Sequence, residues 1–460
     1  MKKVLLFALL TIFTLQMKAQ EIIGNWEGIL AVQGQELPII FKITQEGDAL
    51  KATMDSPKQN AFGLPTSTCK FTDGRLTITA PNLGLTFTGT LKGDEIDGNF
   101  KQGMMAIPIT LTRQEEEAEG PAERLQDPQA PFPYDSEDLT FKNEVANIKL
   151  AGTLTTPKNV ENPPVVIMVS GSGPQNRNEE IMNHRPFWVW ADHLTRQGIA
   201  VLRYDDRGVA SSEGDHAIAT SEDFAEDTKA AIAYLRQQDQ FKNSPIGIIG
   251  HSEGGMIAPM VAAEDKELDF IVLLAGPGVA NDELMYLQNK RFVDGQDMPD
   301  AARATFLEQQ KALFTLVKNS GDRSLEELED LVFQEYEKRN GGINLRENAE
   351  IQRAVKQFTS PWMRYFLSYD PESTLAKVKC PVLAVNGDKD IQVVSEQNLP
   401  GIEKALKESG NKNFTIKTFP GLNHLFQTAE TGQVDEYFEI EETVNPAVLE
   451  YVTKWILDVL

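Results

Sequence analysis

The sequence contains little that would indicate a disulfide framework, a metal centre or a nucleic-acid-binding surface. Its 460 residues include two cysteines, Cys69 and Cys380, which are too few for a disulfide framework and lack metal-ligand spacing. Positive charge is also scarce, because 44 Lys and Arg face 68 Asp and Glu and the net charge is −24. Such a surface repels nucleic acid and anionic lipid. We therefore expect no cofactor, no metal and no nucleic-acid partner.

Apolar runs long enough to cross a bilayer are absent. Val4–Leu15 is apolar apart from two threonines, follows Lys2 and Lys3, and precedes a polar stretch that reaches Ala19. This run is too short to span a membrane but is typical of the hydrophobic region of a secretory signal peptide. We therefore expect residues 1–19 to be a signal peptide, and the mature protein to be exported to the periplasm or secreted without an integral membrane segment.

Residues 21–113 have the pattern of an all-β domain. Arg75–Ala80 (RLTITA) and Leu85–Leu91 (LTFTGTL) alternate between apolar and polar residues, and turn residues separate such segments. The length fits seven or eight short strands in a small antiparallel barrel or sandwich, with Trp26 in its core. Because a barrel can hold a sugar, this domain is a candidate for glycan contact, although no polar cluster favours it.

The acidic, proline-rich residues 114–133 have no period and are interpreted as a linker. From residue 134 to 460, apolar strands alternate with amphipathic helices, which predicts an α/β domain with a mainly parallel sheet and helices on both faces. Four helical segments interrupt this alternation and predict a helical cap at about 279–375. Such an insertion would cover the carboxyl ends of the strands, where α/β folds bind ligands.

A serine motif lies between a predicted strand and a predicted helix. GHSEG, residues 250–254, fits G-x-S-x-G, follows IGIIG and precedes GGMIAPMVAAE. In this strand–turn–helix context the serine occupies a sharp turn that its glycine neighbours permit. A phosphate-binding loop would need the lysine and the longer spacing of a Walker sequence. The pattern predicts Ser252 as a nucleophile.

A serine nucleophile needs a base, and the chain has five histidines. His424, in PGLNHLFQ after the last predicted strand, lies at the carboxyl edge of the sheet and is the predicted base. The others lie within the serine motif, on a covering helix, or in loops that precede any candidate acid: His251, His193, His184 and His216.

The imidazole needs a carboxylate that orients it. NGDKDIQVV follows the strand that begins at Pro381, and its spacing favours Asp390, whereas Asp388 is expected to cap the turn. Asp282, after the preceding strand, is a third option. The resulting chain order Ser–Asp–His differs from the two common serine-protease orders.

An oxyanion hole needs two backbone donors. One is expected to be the amide of Glu253, and the other comes from SGSGPQ, residues 170–175, which follows an apolar run. Ser172 is the first choice for this donor and Gly173 the second. In a further strand-end loop, Asp206 and Arg207 could bind substrate, but a salt bridge between them within their own loop is the favoured interpretation.

From Asp138 onward, about seven tenths of the chain resembles the α/β-hydrolase superfamily, most closely secreted bacterial esterases and prolyl-oligopeptidase-like or serine-aminopeptidase-like hydrolases. The motifs that carry the resemblance are SGSGPQNRN, LRYDDRGVASSEG, GHSEGG, NGDKDIQV and NHLFQ. The sequence departs from the pattern at Ser170, where many relatives have histidine, and at Ala210, where relatives often have glycine. The resemblance implies the hydrolase fold and a Ser-His-Asp triad.

We therefore expect an exported serine hydrolase that cleaves carboxylic esters of small or medium acyl groups through an acyl-enzyme on Ser252. One alternative is an exopeptidase or acylaminoacyl-peptidase-like activity on short peptides, for which an acid of the cap, such as Glu329, Glu335 or Glu337, would bind the amine. A second alternative is a non-catalytic glycan-binding protein, which a complete triad disfavours.

Overall fold

The computed structural model describes residues 22–32, 35–46, 49–56, 61–80, 84–102, 105–114 and 124–460. The chain forms two compact units, Met1–Glu123 and Arg124–Leu460. The predicted signal peptide and the first half of the predicted linker lie outside the described residues. Across the described ranges, no helix combines the length and the hydropathy that a membrane span requires.

The described part of the first unit forms one antiparallel sheet of nine strands in the order β4-β3-β2-β1-β9-β8-β7-β6-β5. The strands are β1 (Gly24–Val32), β2 (Gln35–Glu46), β3 (Ala49–Ser56), β4 (Ala61–Pro65), β5 (Thr68–Thr72), β6 (Arg75–Ala80), β7 (Leu85–Lys92), β8 (Glu95–Gln102) and β9 (Met105–Gln114). Only Thr66 and Ser67 join the two edge strands, β4 and β5, so the sheet curls as in a barrel. Seven or eight strands were predicted; β4 and β5 are each only five residues long, which makes their alternation weak.

Trp26 lies in the core of this sheet, as predicted. Its side chain is fully buried, and its indole Nε1 donates a hydrogen bond of 2.8 Å to the carbonyl oxygen of Ile22. Phe41 and Phe87 belong to the same core, with ring centroids 5.3 Å apart. The glycan contact considered for this unit stays a prediction.

The second unit is built on an eight-stranded sheet in the order β10-β11-β13-β12-β14-β15-β16-β17. Its strands are β10 (Asp135–Asn143), β11 (Ile148–Thr156), β12 (Val165–Val169), β13 (Ala200–Tyr204), β14 (Ile246–His251), β15 (Phe270–Leu274), β16 (Val382–Gly387) and β17 (Phe414–Phe419). The β10–β11 and β11–β13 pairs are antiparallel. From β13 onward in this order, all neighbouring strands are parallel. Every residue of β12 through β16 is buried, because helices cover both faces.

The helices of this unit follow the predicted alternation. They are α1 (Pro186–Arg196), α2 (Ser221–Arg236), α3 (Glu253–Glu264), α4 (Asn281–Asp294), α5 (Asp300–Lys318), α6 (Leu325–Arg339), α7 (Ala349–Thr359), α8 (Pro361–Ser368), α9 (Glu372–Leu375), α10 (Ser395–Glu408), α11 (Glu436–Glu439) and α12 (Pro446–Val459), with short 3-10 turns at His216–Ile218 and Asp239–Phe241. Helices α2, α3 and α10 pack on one face of the sheet and α1 and α12 on the other. The predicted fold class, an α/β-hydrolase fold after an all-β region, is confirmed.

Helices α4 to α9 lie between β15 and β16, where the cap is predicted, and α5 to α8 have an apolar core of their own. The sequence pattern predicted four helices there, and the short helices α8 and α9 were not among them. Helix α8 begins at Pro361, directly after Ser360, whose hydroxyl accepts a hydrogen bond of 3.2 Å from the amide of Met363. Both residue types are common at such a start.

The order of the strands explains why distant loops meet. The chain passes from β12 to β13 on one side, and then crosses to β14 on the other side of β12. At such a reversal the loops that follow the two central strands diverge and leave a crevice at their carboxyl ends. SGSGPQ follows β12 and GHSEGG begins at the end of β14, so the two glycine loops lie side by side.

The second half of the predicted linker is part of the α/β unit. Asp127 is buried and forms a salt bridge of 3.1 Å with Arg185. The side-chain amide of Gln126 donates to the carbonyl oxygen of Val444 at 2.8 Å. Asp127 is therefore buried and Gln126 half-buried, although the polarity and proline content of residues 114–133 are typical of a free linker.

We expect Trp26→Ala to destabilise the first unit by about 3–5 kcal/mol, because it removes a fully buried aromatic side chain and leaves a cavity. Hydrogen–deuterium exchange of peptides from β1 to β9 in the whole protein would measure this loss. Ile29→Ala is the matched control on the same strand, since Ile29 is 54% exposed. Equal protection of these peptides in both variants would contradict the predicted core role.

Candidate active site

Ser252 occupies the turn between β14 and α3. Its backbone has φ 52° and ψ −116°, in a region that non-glycine residues rarely adopt, and its amide donates to the carbonyl oxygen of Leu274 at 2.9 Å. The turn is tight because glycines flank it: a Cβ at Gly254 would lie 2.0 Å from the carbonyl oxygen of Val169. Strain of this kind persists where the surrounding structure enforces it, and it is common at active sites.

The loop after β12 passes directly beside this turn. A Cβ at Gly171 would lie 3.2 Å from Cβ of Ser252, and Gly173 has φ 94°. Asp206 stabilises this loop at both of its ends, because its carboxylate accepts hydrogen bonds from the hydroxyl of Ser170 at 2.8 Å and the amide of Gln175 at 2.9 Å. Ser170, one of the departures from the related sequences, therefore has a structural contact of its own.

Asp206 and Arg207 do not pair with each other, which corrects the predicted salt bridge. Arg207 instead forms salt bridges of 2.9 Å with Asp223 and 2.7 Å with Asp227, both on α2. Burial raises the pKa of Asp206 to about 8, despite the hydrogen bonds that favour its charged form. In the same loop Ala210 has φ 46°, which explains why glycine is common at this position in related sequences.

His424 and Asp390 are hydrogen-bonded, with 2.8 Å between Nδ1 of the imidazole and Oδ2 of the carboxylate, and both are buried. The second carboxylate oxygen of Asp390 accepts from the amides of Gln392 at 2.8 Å and Val393 at 2.9 Å. These two amides, together with the imidazole, hold the carboxylate in one orientation.

The two competing acids have other partners. Asp388 accepts a hydrogen bond of 2.7 Å from the amide of Gly421 and so connects two loops, while Asp282 forms a salt bridge of 2.6 Å with Lys318. Of the three candidates weighed, the structure brings Asp390 to His424.

The amides of Ser172 and Glu253 have no hydrogen-bond acceptor within the described ranges. The side chain of Glu253 is buried, and its carboxyl accepts from the hydroxyl of Ser221 at 2.5 Å and from the indole of Trp362 at 2.8 Å. Burial raises the pKa of Glu253. The residue that follows the serine thus contacts the cap through its side chain and leaves its amide free.

Ser252 and His424 line one cavity of about 200 Å³ between the sheet and the cap. Its cap side is largely apolar and consists of Leu284, Met285, Gln288, Trp362 and Phe366. Glutamine side chains from the other loops add neutral hydrogen-bonding groups. The cavity can accommodate a small or medium apolar group next to Ser252.

Sequence reasoning missed the residues that α8 contributes. Trp362 and Phe366 are four residues apart, on one face of the helix, and their rings stack with centroids 4.8 Å apart. The Ser360-Pro361 start signal and this spacing could have identified them. Glu179, which also lines the cavity, has no comparable signal, because it lies in an irregular segment between β12 and α1.

No cluster of three or more histidine, cysteine or acidic residues that could hold a metal ion occurs in the described part of the chain. Cys69 and Cys380 are free thiols, and burial raises the pKa of each to about 11. Neither thiol lines the cavity.

A family model for the X-Pro dipeptidyl-peptidase (S15 family) matches residues 146–412, more than half of the chain. Esterase EstD of Thermotoga maritima is 26% identical over 336 residues, which are 71% of this chain and 68% of that relative. An esterase of Pyrococcus furiosus, Pf2001, is a structural neighbour with a TM-score of 0.43 and 17% identity, covering 71% of this chain and 93% of that one. Est1E of Butyrivibrio proteoclasticus, in a structure with ferulic acid, has a TM-score of 0.41 and 21% identity, covering 70% and 98%.

The matched region begins within the β10–β11 hairpin and extends past α10, so it includes β12, β14, the turn at Ser252 and the whole cap. The chain belongs to the X-Pro dipeptidyl-peptidase (S15) family and is a serine hydrolase of the α/β-hydrolase superfamily.

Proposed function

We propose that Ser252, His424 and Asp390 form the catalytic triad of an esterase. The observation that carries the proposal is the buried 2.8 Å hydrogen bond between His424 and Asp390 at a cavity that Ser252 also lines. Because Asp390 accepts from Nδ1, the neutral imidazole has its lone pair on Nε2. That nitrogen takes the proton of the Ser252 hydroxyl as the hydroxyl oxygen attacks the substrate carbonyl, and later gives the proton to the leaving alcohol.

The attack places negative charge on the carbonyl oxygen of the substrate. Two free amides, those of Glu253 and Ser172, are suitable donors to this oxyanion, and Gly173 is the alternative on the second loop. The amide of Gly171 is excluded because it donates to Glu179 at 2.6 Å. An acyl-enzyme then forms on Ser252, and water releases the acid by the same route.

The cavity supports a carboxylic ester with a small or medium acyl group as substrate. Its volume of about 200 Å³ limits the size of the acyl group that it can hold, and the leucine, methionine and aromatic side chains of the cap favour an apolar group. The lining includes no lysine or arginine that could neutralise an anionic acyl group.

Exopeptidase activity is the second candidate, and membership of the X-Pro dipeptidyl-peptidase family favours it. A peptide substrate with a free amine needs an accessible carboxylate. Glu329, Glu335 and Glu337 do not line the cavity, and Glu335 forms a salt bridge of 2.6 Å with Arg339. Glu179 and Glu253 do line it, but each carboxyl already accepts two hydrogen bonds. The non-catalytic glycan-binding alternative is not retained, because the chain is a serine hydrolase.

The triad predicts that Ser252→Ala abolishes labelling by a fluorophosphonate probe, which requires an activated serine. Asp390→Asn should keep the fold and lower kcat for a p-nitrophenyl ester by about 10⁴-fold, because the amide favours the wrong imidazole tautomer. Labelling of the Ser252 variant at the wild-type rate would reject the nucleophile.

Asp388→Asn is the matched control for the orienting carboxylate, since the two aspartates lie two residues apart and Asp388 contacts Gly421 rather than His424. We expect its kcat to stay within about threefold of the wild-type value. A lower kcat for Asp388→Asn than for Asp390→Asn would show that Asp390 does not orient His424.

We expect p-nitrophenyl esters of short and medium acids to be hydrolysed at least tenfold faster, in kcat/KM, than aminoacyl- or dipeptidyl-anilides. The reason is the apolar wall of the cavity and the absence of a free carboxylate among its cap residues. Steady-state kinetics with matched leaving groups compares the two classes. Turnover of anilides alone would establish the exopeptidase and reject the esterase.

We also propose that the protein is exported by its N-terminal segment. N-terminal sequencing of the processed protein from a bacterial host should begin near Gln20, since the Lys2-Lys3 pair and the apolar run have the order of a signal peptide. Replacing Leu9 and Leu10 with arginine should retain the unprocessed chain in the cytoplasm. Equal export of the wild type and the arginine variant would contradict the proposal.

A further inference from the structure

A second pair formed by an acid and a histidine lies beside the proposed triad. Oε1 of Glu179 accepts two hydrogen bonds, one of 2.6 Å from the amide of Gly171 and one of 2.9 Å from Nδ1 of His251. The other ring nitrogen of His251, Nε2, is 3.0 Å from the carbonyl oxygen of His424. Glu179 and His251 are both buried. The pair therefore connects the loop after β12, the turn at Ser252 and the loop that carries His424.

The partners determine the protonation of His251. A carbonyl oxygen can only accept a hydrogen bond, and so can the oxygen of an ionised carboxylate, so beside the carboxylate of Glu179 both ring nitrogens donate. An imidazole donates from both nitrogens only when it carries a positive charge. Burial by itself lowers the pKa of His251, but the charge and the hydrogen bond of Glu179, the hydrogen bond to the carbonyl of His424 and the charge of Asp390 together outweigh burial and raise the pKa.

The backbone at Glu179 is strained. Its φ is 50°, a left-handed conformation that is unfavourable for a residue with a side chain. Nearby, Met182 and Asn183 have φ 48° and φ 64°. Such conformations persist where the surrounding structure enforces them, and they occur often at functional sites. The chain adopts this strained conformation at the residue whose carboxylate contacts Gly171 and His251.

We propose that Glu179 and His251 are positioning residues for the hydrolysis. The proposal depends on the proposed function, because the pair is taken to hold the catalytic His424 and the loop that supplies the oxyanion donor. The His251 imidazolium holds the backbone of His424, and the Glu179 carboxylate holds Gly171, whose neighbour Ser172 supplies the oxyanion donor. Neither side chain exchanges a proton with the substrate.

The pair predicts a dependence on alkaline pH. The titratable groups that face His251 are Glu179, from the segment before α1, and His424 and Asp390, from the loops after β17 and β16. Because the folded pKa of His251 is raised, the contribution of the pair is complete below the ordinary histidine value of about 6.5 and is lost as pH rises through the folded pKa. Above that pH the neutral ring keeps one N–H and loses one of its two contacts.

The test compares Glu179→Gln with Glu180→Gln in the full-length protein. Glutamine keeps the acceptor oxygen and removes the charge, and Glu180 is an exposed neighbour that undergoes the same change. For a p-nitrophenyl ester, Glu179→Gln should lower kcat by roughly 10- to 100-fold and change KM less than about threefold, because misplacement of the catalytic groups affects the chemical step. The alkaline limb of its pH profile should move to lower pH, whereas Glu180→Gln should match the wild type in all three quantities.

Nitrogen NMR of the histidine side chains provides a readout that does not depend on activity. His251→Asn identifies the resonances of His251, and in the wild type both ring nitrogens should remain protonated at pH 7, whereas in Glu179→Gln deprotonation should occur at lower pH. A neutral His251 at pH 7, or a Glu179→Gln variant with wild-type kcat and pH profile, would overturn the proposal. Fluorophosphonate labelling that does not require Ser252 would instead reject the triad, so the two failures are distinguishable.

Discussion

The close approach of backbone to backbone at the turn of Ser252 is the constraint on which the rest of the site depends. A Cβ at Gly250 would lie 2.0 Å from the carbonyl oxygen of Gly254, and one at Gly255 would lie 2.6 Å from Cα of Gly276. Only glycine residues allow two backbones to approach this closely. The ends of β12 and β14 and the loop after β15 therefore contact the first turn of α3 directly. This contact exposes the serine at the crevice of the sheet and places the first amide of α3 next to it.

The parts of the molecule that local pattern determines could be predicted from the sequence. Apolar strands and glycine spacing located the turn at Ser252, and the position of His424 after the last strand located the histidine loop. The remaining features depend on tertiary contacts. Arg207 reaches across to α2 instead of its neighbour, and Glu179 contacts His251, 72 residues away in the chain, from a segment without a period. No local pattern specifies which buried acid accepts from which distant donor.

Three buried acids surround the glycine loop after β12, and each has different partners. Asp206 accepts from a hydroxyl and an amide, Glu253 from a hydroxyl and an indole, and Glu179 from an amide and an imidazole. Neutral donors satisfy the first two, whose pKa values burial raises, so they can be accommodated without a balancing cation. Only Glu179 faces a group that can carry a positive charge, and only that acid lies between the oxyanion loop and the histidine loop.

The hydrogen bond between Glu253 and Trp362 has a consequence for how such enzymes can diverge. One residue supplies the amide beside the nucleophile and also the carboxyl that accepts from the wall of the cap. A cap transplanted from a relative without this indole would leave a buried carboxyl with one donor fewer, directly at the turn of the serine. Cap and serine motif are therefore coupled through this hydrogen bond, and exchanging the cap alone would require a compensating change at position 253.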